Sequence, residues 1–129
     1  MSLGINDNWV VEFHADFASE FDGFSEPIRQ KIIAMAGLLK TFGPQLGRPQ
    51  VDTLKGSKHS NMKDLRFDAD GGVWRVAFAF DLSRKAILLV GGDKAGVSKE
   101  KFYRNLIEMA DRRFDRHQAA QERKKGRKK

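Results

Sequence analysis

The sequence predicts an α+β domain: a small antiparallel β-sheet in the order β-α-α-β-β-β-α, with helices packed on one face. Three observations predict it. An apolar repeat at helical spacing runs through residues 27–42. Three strand-like runs follow in succession, at 62–67, 73–80 and 86–90, parted by turn residues. A second helical repeat begins after Ser98.

The elements can be justified in order. Residues 8–13 (NWVVEF) read as a short strand, expected at the sheet edge or beside the last strand. Residues 15–21 suit a short helix. Ser25 is an N-cap candidate, and Pro27 suits a first helical turn. Ile28, Ile32, Met35, Leu39 and Phe42 then form one helical stripe, which Gly43-Pro44 stops. Residues 43–60 are rich in Gly and Pro and read as a basic loop. DADGG at 68–72 is a turn signal between two strands.

In the next strand Trp74, Val76, Phe78 and Phe80 alternate with Val73, Arg75, Ala77 and Ala79. The first set is expected to be core. The second is small and apolar around one arginine, which leaves room for a ligand. AILLV at 86–90 reads as a buried strand ended by Gly91-Gly92, with Lys94 at its exit. Ser98 is expected to cap a last helix whose inner face is Phe102, Leu106, Met109 and Ala110. The apolar pattern is gone by Gln118, so residues 1–117 are expected to form the domain and 118–129 a disordered basic tail.

The chain has 129 residues and no cysteine, which excludes a disulfide framework and thiolate zinc sites. His14, His59 and His117 are far apart in sequence, so no histidine metal site is expected, and no other cofactor is implied. No apolar run approaches membrane-spanning length, and the N-terminus lacks the order of a signal peptide. A cytoplasmic location without membrane association is the expectation.

The formal charge of +7 is unevenly placed. Residues 112–129 hold nine Lys or Arg against two acids, while residues 1–111 hold fifteen of each sign. The first 26 residues carry six acids and no Lys or Arg. Residues 29–66 carry eight bases against Asp52 and Asp64. A nucleic acid suits the basic parts. Catalytic candidates are Arg75, Arg66, Lys94, Lys63, His59 and Tyr103, with Lys55, Lys58, Lys99 and Lys101 as phosphate contacts. Cations and a phenol on one surface suit phosphodiester chemistry, because negative charge develops at phosphorus in the transition state. His14 and His117 read as structural or exposed.

The succession NMKDLRF, GGVWRVAFAF, KAILLVGGDK and KFYRNLIEMADRRF resembles the RelE/ParE superfamily of bacterial toxins, and within it the HigB-like branch. The likeness covers roughly residues 8–117 and rests on motif order. It implies a metal-free endonuclease that cuts mRNA in the ribosomal decoding site and is neutralised by a cognate antitoxin, often a helix-turn-helix protein. It also implies that Arg75 is the family's strand arginine, that Arg66 belongs to its Leu-Arg motif and that Lys94 is the basic residue after the last strand. The Lys-x-Lys pair of the RelE branch is reduced here to Lys63, which leaves Lys63, His59 and Tyr103 all open as proton-transfer groups. Two rival readings remain. One is a ParE-like toxin that binds gyrase without hydrolysis. The other is an inactive phage-derived binding module with the same fold.

Overall fold

The computed structural model describes residues 9–127. The element order is β1 (Val10–Phe13), α1 (Ala15–Phe21), α2 (Glu26–Phe42), a 3-10 turn (Gly43–Gln45), β2 (Val51–Thr53), β3 (Met62–Ala69), β4 (Gly72–Phe80), β5 (Lys85–Asp93) and α3 (Lys99–Arg127). The five strands form one sheet in the order β1-β5-β4-β3-β2. The α+β class and the β3-β4-β5 meander agree with the sequence reading. β1 lies beside β5 as expected, and it runs parallel to it, the single parallel pair among the described residues. Asn8, the expected first residue of that strand, lies outside the described residues.

The hairpin between β3 and β4 is tight. Asp70 and Gly71 both have positive φ, 52° and 77°, the backbone of a two-residue turn whose twist matches the strands. Pairing is continuous from Met62 opposite Ala79 to Ala69 opposite Gly72. Arg66 therefore stands directly across from Arg75, and Asp64 across from Ala77.

The helices do not share one face. Ile28, Ile32, Met35 and Leu39 of α2 and Phe17 of α1 bury one sheet face with Val51, Leu65, Phe67, Trp74, Val76, Phe78 and Leu88. Phe102, Leu106, Ala110 and Phe114 of α3 bury the other with Met62, Ala77, Ala79, Ile87 and Leu89. The expected single helical layer is thus corrected to one on each side. The reason lies in β4 and β5. Both alternate residues of each strand are apolar, so neither face can be left to water. Phe42 ends the α2 stripe but is half exposed.

Four local expectations also change. Val51–Thr53 is a short edge strand inside the stretch expected to be loop. Ser25 sits at the N-cap of α2, yet its hydroxyl donates to Asp70 Oδ2 at 2.9 Å instead of capping the helix. Gly91 and Gly92 do not end β5, which runs on to Asp93. A Cβ on Gly92 would sit 3.1 Å from Phe102 and one on Gly91 would sit 3.3 Å from Phe17, so these glycines let α3 and α1 approach the two faces. Finally, α3 continues as helix past Gln118 to Arg127. Gln121 Nε2 donates to Asp81 Oδ2 at 2.8 Å, so a tertiary hydrogen bond, not an apolar stripe, secures that stretch. Among the described residues, no helix is long and apolar enough to cross a membrane.

Candidate nucleic-acid cleavage site

Alternation fixes which side chains share a face. On β3, Met62 is buried under α3, so Asp64 and Arg66 point to that side. Leu65 and Phe67 are buried under α1 and α2, and Lys63 shares their side. On β4, Ala77 and Ala79 are covered by α3, and Arg75 shares their side. The ligand space expected around Arg75 is consequently filled over the alanines by α3. What stays open is the end of that face, where Arg66, Arg75, Tyr103 and Lys94 gather.

Asp64 is the floor of this cluster. Its side chain is 0% exposed, although it carries charge. Arg66 Nε donates to Asp64 Oδ1 at 3.1 Å, and Arg66 Nη2 lies 3.7 Å from Asp52 Oδ2. Arg75 Nε donates to the Tyr103 hydroxyl at 2.9 Å, and Arg75 Nη1 to the Trp74 carbonyl at 2.9 Å. Asp64 Oδ2 is 3.9 Å from Arg75 Nε and has no hydrogen-bond partner. Two arginines directly opposite on neighbouring strands repel each other, and the buried carboxylate beneath them offsets that repulsion. Lys94 Nζ lies 5.8 Å from the Tyr103 ring centroid. Its backbone amide donates to the Val73 carbonyl at 2.8 Å, which fixes the exit of β5 against the start of β4.

Burial pushes the Asp64 carboxyl above its ordinary value, against the opposite pull of Arg66 and Arg75. Burial also opposes the charge on Arg66, but the hydrogen bond and charge of Asp64 outweigh it and hold the guanidinium above its ordinary value. The arginine side chains remain 31% and 11% exposed, for Arg66 and Arg75 respectively, which is enough for an incoming anion to reach both.

The other candidates fall elsewhere. Lys63 lines a concavity of about 230 Å³ with Leu46, Gly47, Arg48 and Thr53, on the opposite face from Arg66 and Arg75. His59 Nε2 bonds Asp115 Oδ1 at 2.8 Å, and its ring packs edge-on against Phe114 at 4.9 Å. Lys58 Nζ contacts Asp115 Oδ2 at 2.5 Å, and the Lys58 amide donates to Asp111 Oδ2 at 3.1 Å. Asp115 is twelve residues beyond Tyr103, about 18 Å along the helix axis. His59 and Lys58 therefore clip their loop to the middle of α3, away from the cluster. Lys55 is exposed in the same loop, and Lys99 and Lys101 are exposed on the first turn of α3. That turn is capped as expected, since Lys101 N donates to Ser98 Oγ at 3.3 Å. His14 caps α1, its Nδ1 accepting from Asp16 N at 3.1 Å, and His117 Nε2 bonds Asp81 Oδ2 at 2.8 Å.

Asp64 is not among the site residues expected from the sequence, which offers it only as a pairing partner for Arg75 and at the place where the HigB-like pattern has Glu. The signal was available: it stands two positions from Arg66 on a strand, hence on the same face. The same alternation sets Lys63 on the other side. Size does not mark this site. A larger concavity, about 970 Å³, lies between the end of α3 and the Ser83–Lys85 turn. Two of the polar groups that line it, His117 and Gln121, are both taken up by Asp81.

Relatives place the chain. The family model described as "Phage derived protein Gp49-like (DUF891)" matches residues 19–115. The candidate toxin HigB2 of Mycobacterium tuberculosis is 40% identical over 99 residues, covering 76% of this chain and 49% of HigB2. The candidate toxin HigB3 of the same organism is 51% identical over 78 residues, covering 60% of this chain and 66% of HigB3. The matches thus span about half of HigB2 and just under two thirds of HigB3. Among solved structures, a mutant of the E. coli toxin RelE in the free state superposes with a TM-score of 0.53 at 8% identity, covering 78% of this chain and 94% of RelE. The RelBE2 toxin–antitoxin complex of M. tuberculosis gives 0.52 at 14% identity, covering 68% of this chain and 93% of that one. At such identities these two matches speak for the fold alone. The RelE-like, HigB-type resemblance drawn from the motif succession is borne out, and the chain belongs to the Gp49-like family of phage-derived proteins.

Proposed function

We propose that this chain is the toxin of a type II toxin–antitoxin pair and cleaves mRNA on the ribosome, with Arg66, Arg75, Lys94 and Tyr103 as its site. The observation that carries the proposal is the cross-strand arginine pair over a buried carboxylate, open at one end and joined there by a phenol. The HigB relatives and the RelE-like fold support the toxin class. The M. tuberculosis RelBE2 complex supports an antitoxin partner. A cytoplasmic setting follows from that reading.

The reaction is attack of a ribose 2′-oxygen on the adjacent phosphorus, with cleavage of the bond to the 5′-oxygen. The 2′-hydroxyl proton leaves to a base and the 5′-oxygen takes up a proton. Arg66, Arg75 and Lys94 stabilise the added negative charge. Tyr103 is the titratable proton carrier within the cluster. Its oxygen accepts from Arg75 Nε in the resting protein, which holds the hydroxyl in the cluster until it turns to give its proton to the leaving oxygen. Lys55, Lys99 and Lys101 extend the basic surface along which the message would lie. An antitoxin would neutralise the site by laying acidic or apolar segments over it.

Induction of the protein without an antitoxin tests the reading. Growth arrest with mRNA cut in translated frames supports it. Arrest with intact mRNA and inhibited gyrase would favour a ParE-like binding toxin, and normal growth would favour an inactive module.

A further inference from the structure

Asp64 makes no contact with solvent, is fixed by β-pairing between β2 and β4, and is buried as a charged residue on the sheet face it shares with Arg66 and Arg75. Burying a carboxylate is costly unless every lone pair is used. Only half of this one is used. Oδ1 accepts from Arg66, while Oδ2 has no hydrogen bond and is aimed at Arg75 Nε from 3.9 Å. The single Nε–H of Arg75 is held instead by the Tyr103 hydroxyl. Two acceptors, the phenol and Asp64 Oδ2, thus flank one donor.

We infer that Asp64 is the positioning residue of the site: Oδ1 holds the Arg66 guanidinium permanently, and Oδ2 receives the Arg75 Nε–H when the Tyr103 hydroxyl turns to the substrate. The inference rests on the proposed function. A charge that must act on a transition state has to be held in place before it forms. When the Tyr103 hydroxyl turns to the leaving oxygen, the Arg75 Nε–H is freed, and Asp64 Oδ2 supplies the replacement acceptor without solvent. The exchange also explains why a buried carboxylate oxygen is left without a bond in the resting protein. Asp52, Arg66 and Arg75 are the charged groups that face Asp64 from β2, β3 and β4, and Tyr103 reaches it through Arg75 from α3.

Asp64→Asn keeps the shape and removes the charge, and Asp64→Glu restores the charge. On ribosome-bound message, Asp64→Asn should lower kcat about 10-fold or more with KM within about threefold, since misplacing a catalytic group by an ångström costs rate rather than binding. Asp64→Glu should recover part of the loss. The wild-type rate should fall on acidification as Asp64 takes up a proton, converging on that of Asp64→Asn, which should lack this limb. A merely structural Asp64 would alter the melting temperature and leave the pH profile alone. Equal kcat in wild type and Asp64→Asn would overturn the inference, as would a profile with the same acid limb in both. Nitrogen-15 spectra of the arginine Nε–H groups give an arm independent of catalysis. In Tyr103→Phe, the Arg75 resonance should stay protected from exchange, and adding Asp64→Asn should expose it. Loss of protection in Tyr103→Phe alone would show that Oδ2 does not take the donor. If wild type itself cuts no message, the proposed function fails, and this arm still decides the position of Asp64.

Discussion

The two ends of α3 press on the same sheet face and both carry polar clusters, yet they differ in what is left unpaired. At the N-terminal end, Arg66 and Arg75 reach an open edge, and Asp64 Oδ2 has no hydrogen bond. Further along, Asp115 binds both His59 and Lys58, Asp111 takes the Ser57 hydroxyl, and Asp81 gathers His117, Gln121 and the amides of Ser83 and Lys85. These distal groups are spent on one another and fasten the helix, and the one buried nitrogen there without a hydrogen bond among the described residues, Arg113 Nε, faces Asp16 at 3.7 Å. The proximal groups hold cations towards solvent with one acceptor in reserve. Residue type does not separate the two regions, because His59 has as good a chemistry for proton transfer as Tyr103. The pairing separates them.

The largest effect is expected from Arg75→Ala. Losing a preorganised cation should cost on the order of 100-fold or more in cleavage rate, while antitoxin binding and the fold persist. Single-turnover cleavage together with circular dichroism reads both. An unfolded variant, or one with the wild-type rate, would break the contrast between the two ends of α3.

Asp81 comes next, at the distal end. Burial opposes its charge, but the His117 ring and the amides of Lys85 and Ser83 hold its carboxyl below the ordinary aspartate value. A depressed value makes the contribution one that is present above the unfolded value, about 3.9, and lost as pH falls through the folded one. Stability should therefore drop below about pH 4, and Asp81→Asn should flatten that drop. Melting temperatures measured across the acid range decide it.

A smaller effect is expected from His59→Ala. It removes one partly buried hydrogen bond and an edge-on ring contact, about 1 kcal/mol of stability, and should leave the cleavage rate within about threefold of wild type. Denaturation midpoints and rates together test this, and a collapse of rate without loss of stability would move the proton carrier from Tyr103 to His59.

The smallest effect on chemistry is expected from deleting residues 122–129, which carry six Lys or Arg and Glu122. These groups begin nineteen residues past Tyr103, roughly 28 Å along the helix axis. Binding to the ribosome should weaken and its salt dependence flatten, because fewer counterions are released, with the cleavage pattern on bound message unchanged. Equal salt slopes would mean that this end of α3 touches no RNA.

The sequence by itself determined what depends on near neighbours. The stripe of Ile28, Ile32, Met35 and Leu39 specified α2, the Asp70-Gly71 turn specified the β3-β4 hairpin, and period-two alternation specified the two faces of β4. Tertiary structure decided whatever depends on partners far along the chain. The β3-β4 register brings Arg66 and Arg75 across from each other, α3 buries the alanine face and carries Tyr103 to Arg75, and Asp115 and Asp81 capture His59 and His117. The end of α3 shows the same division: local patterning is spent by Gln118, and the helix is kept by Gln121 reaching Asp81, forty residues away. A hydrogen bond of that separation leaves no periodic trace in sequence, because its energy depends on the closed fold that brings donor and acceptor together.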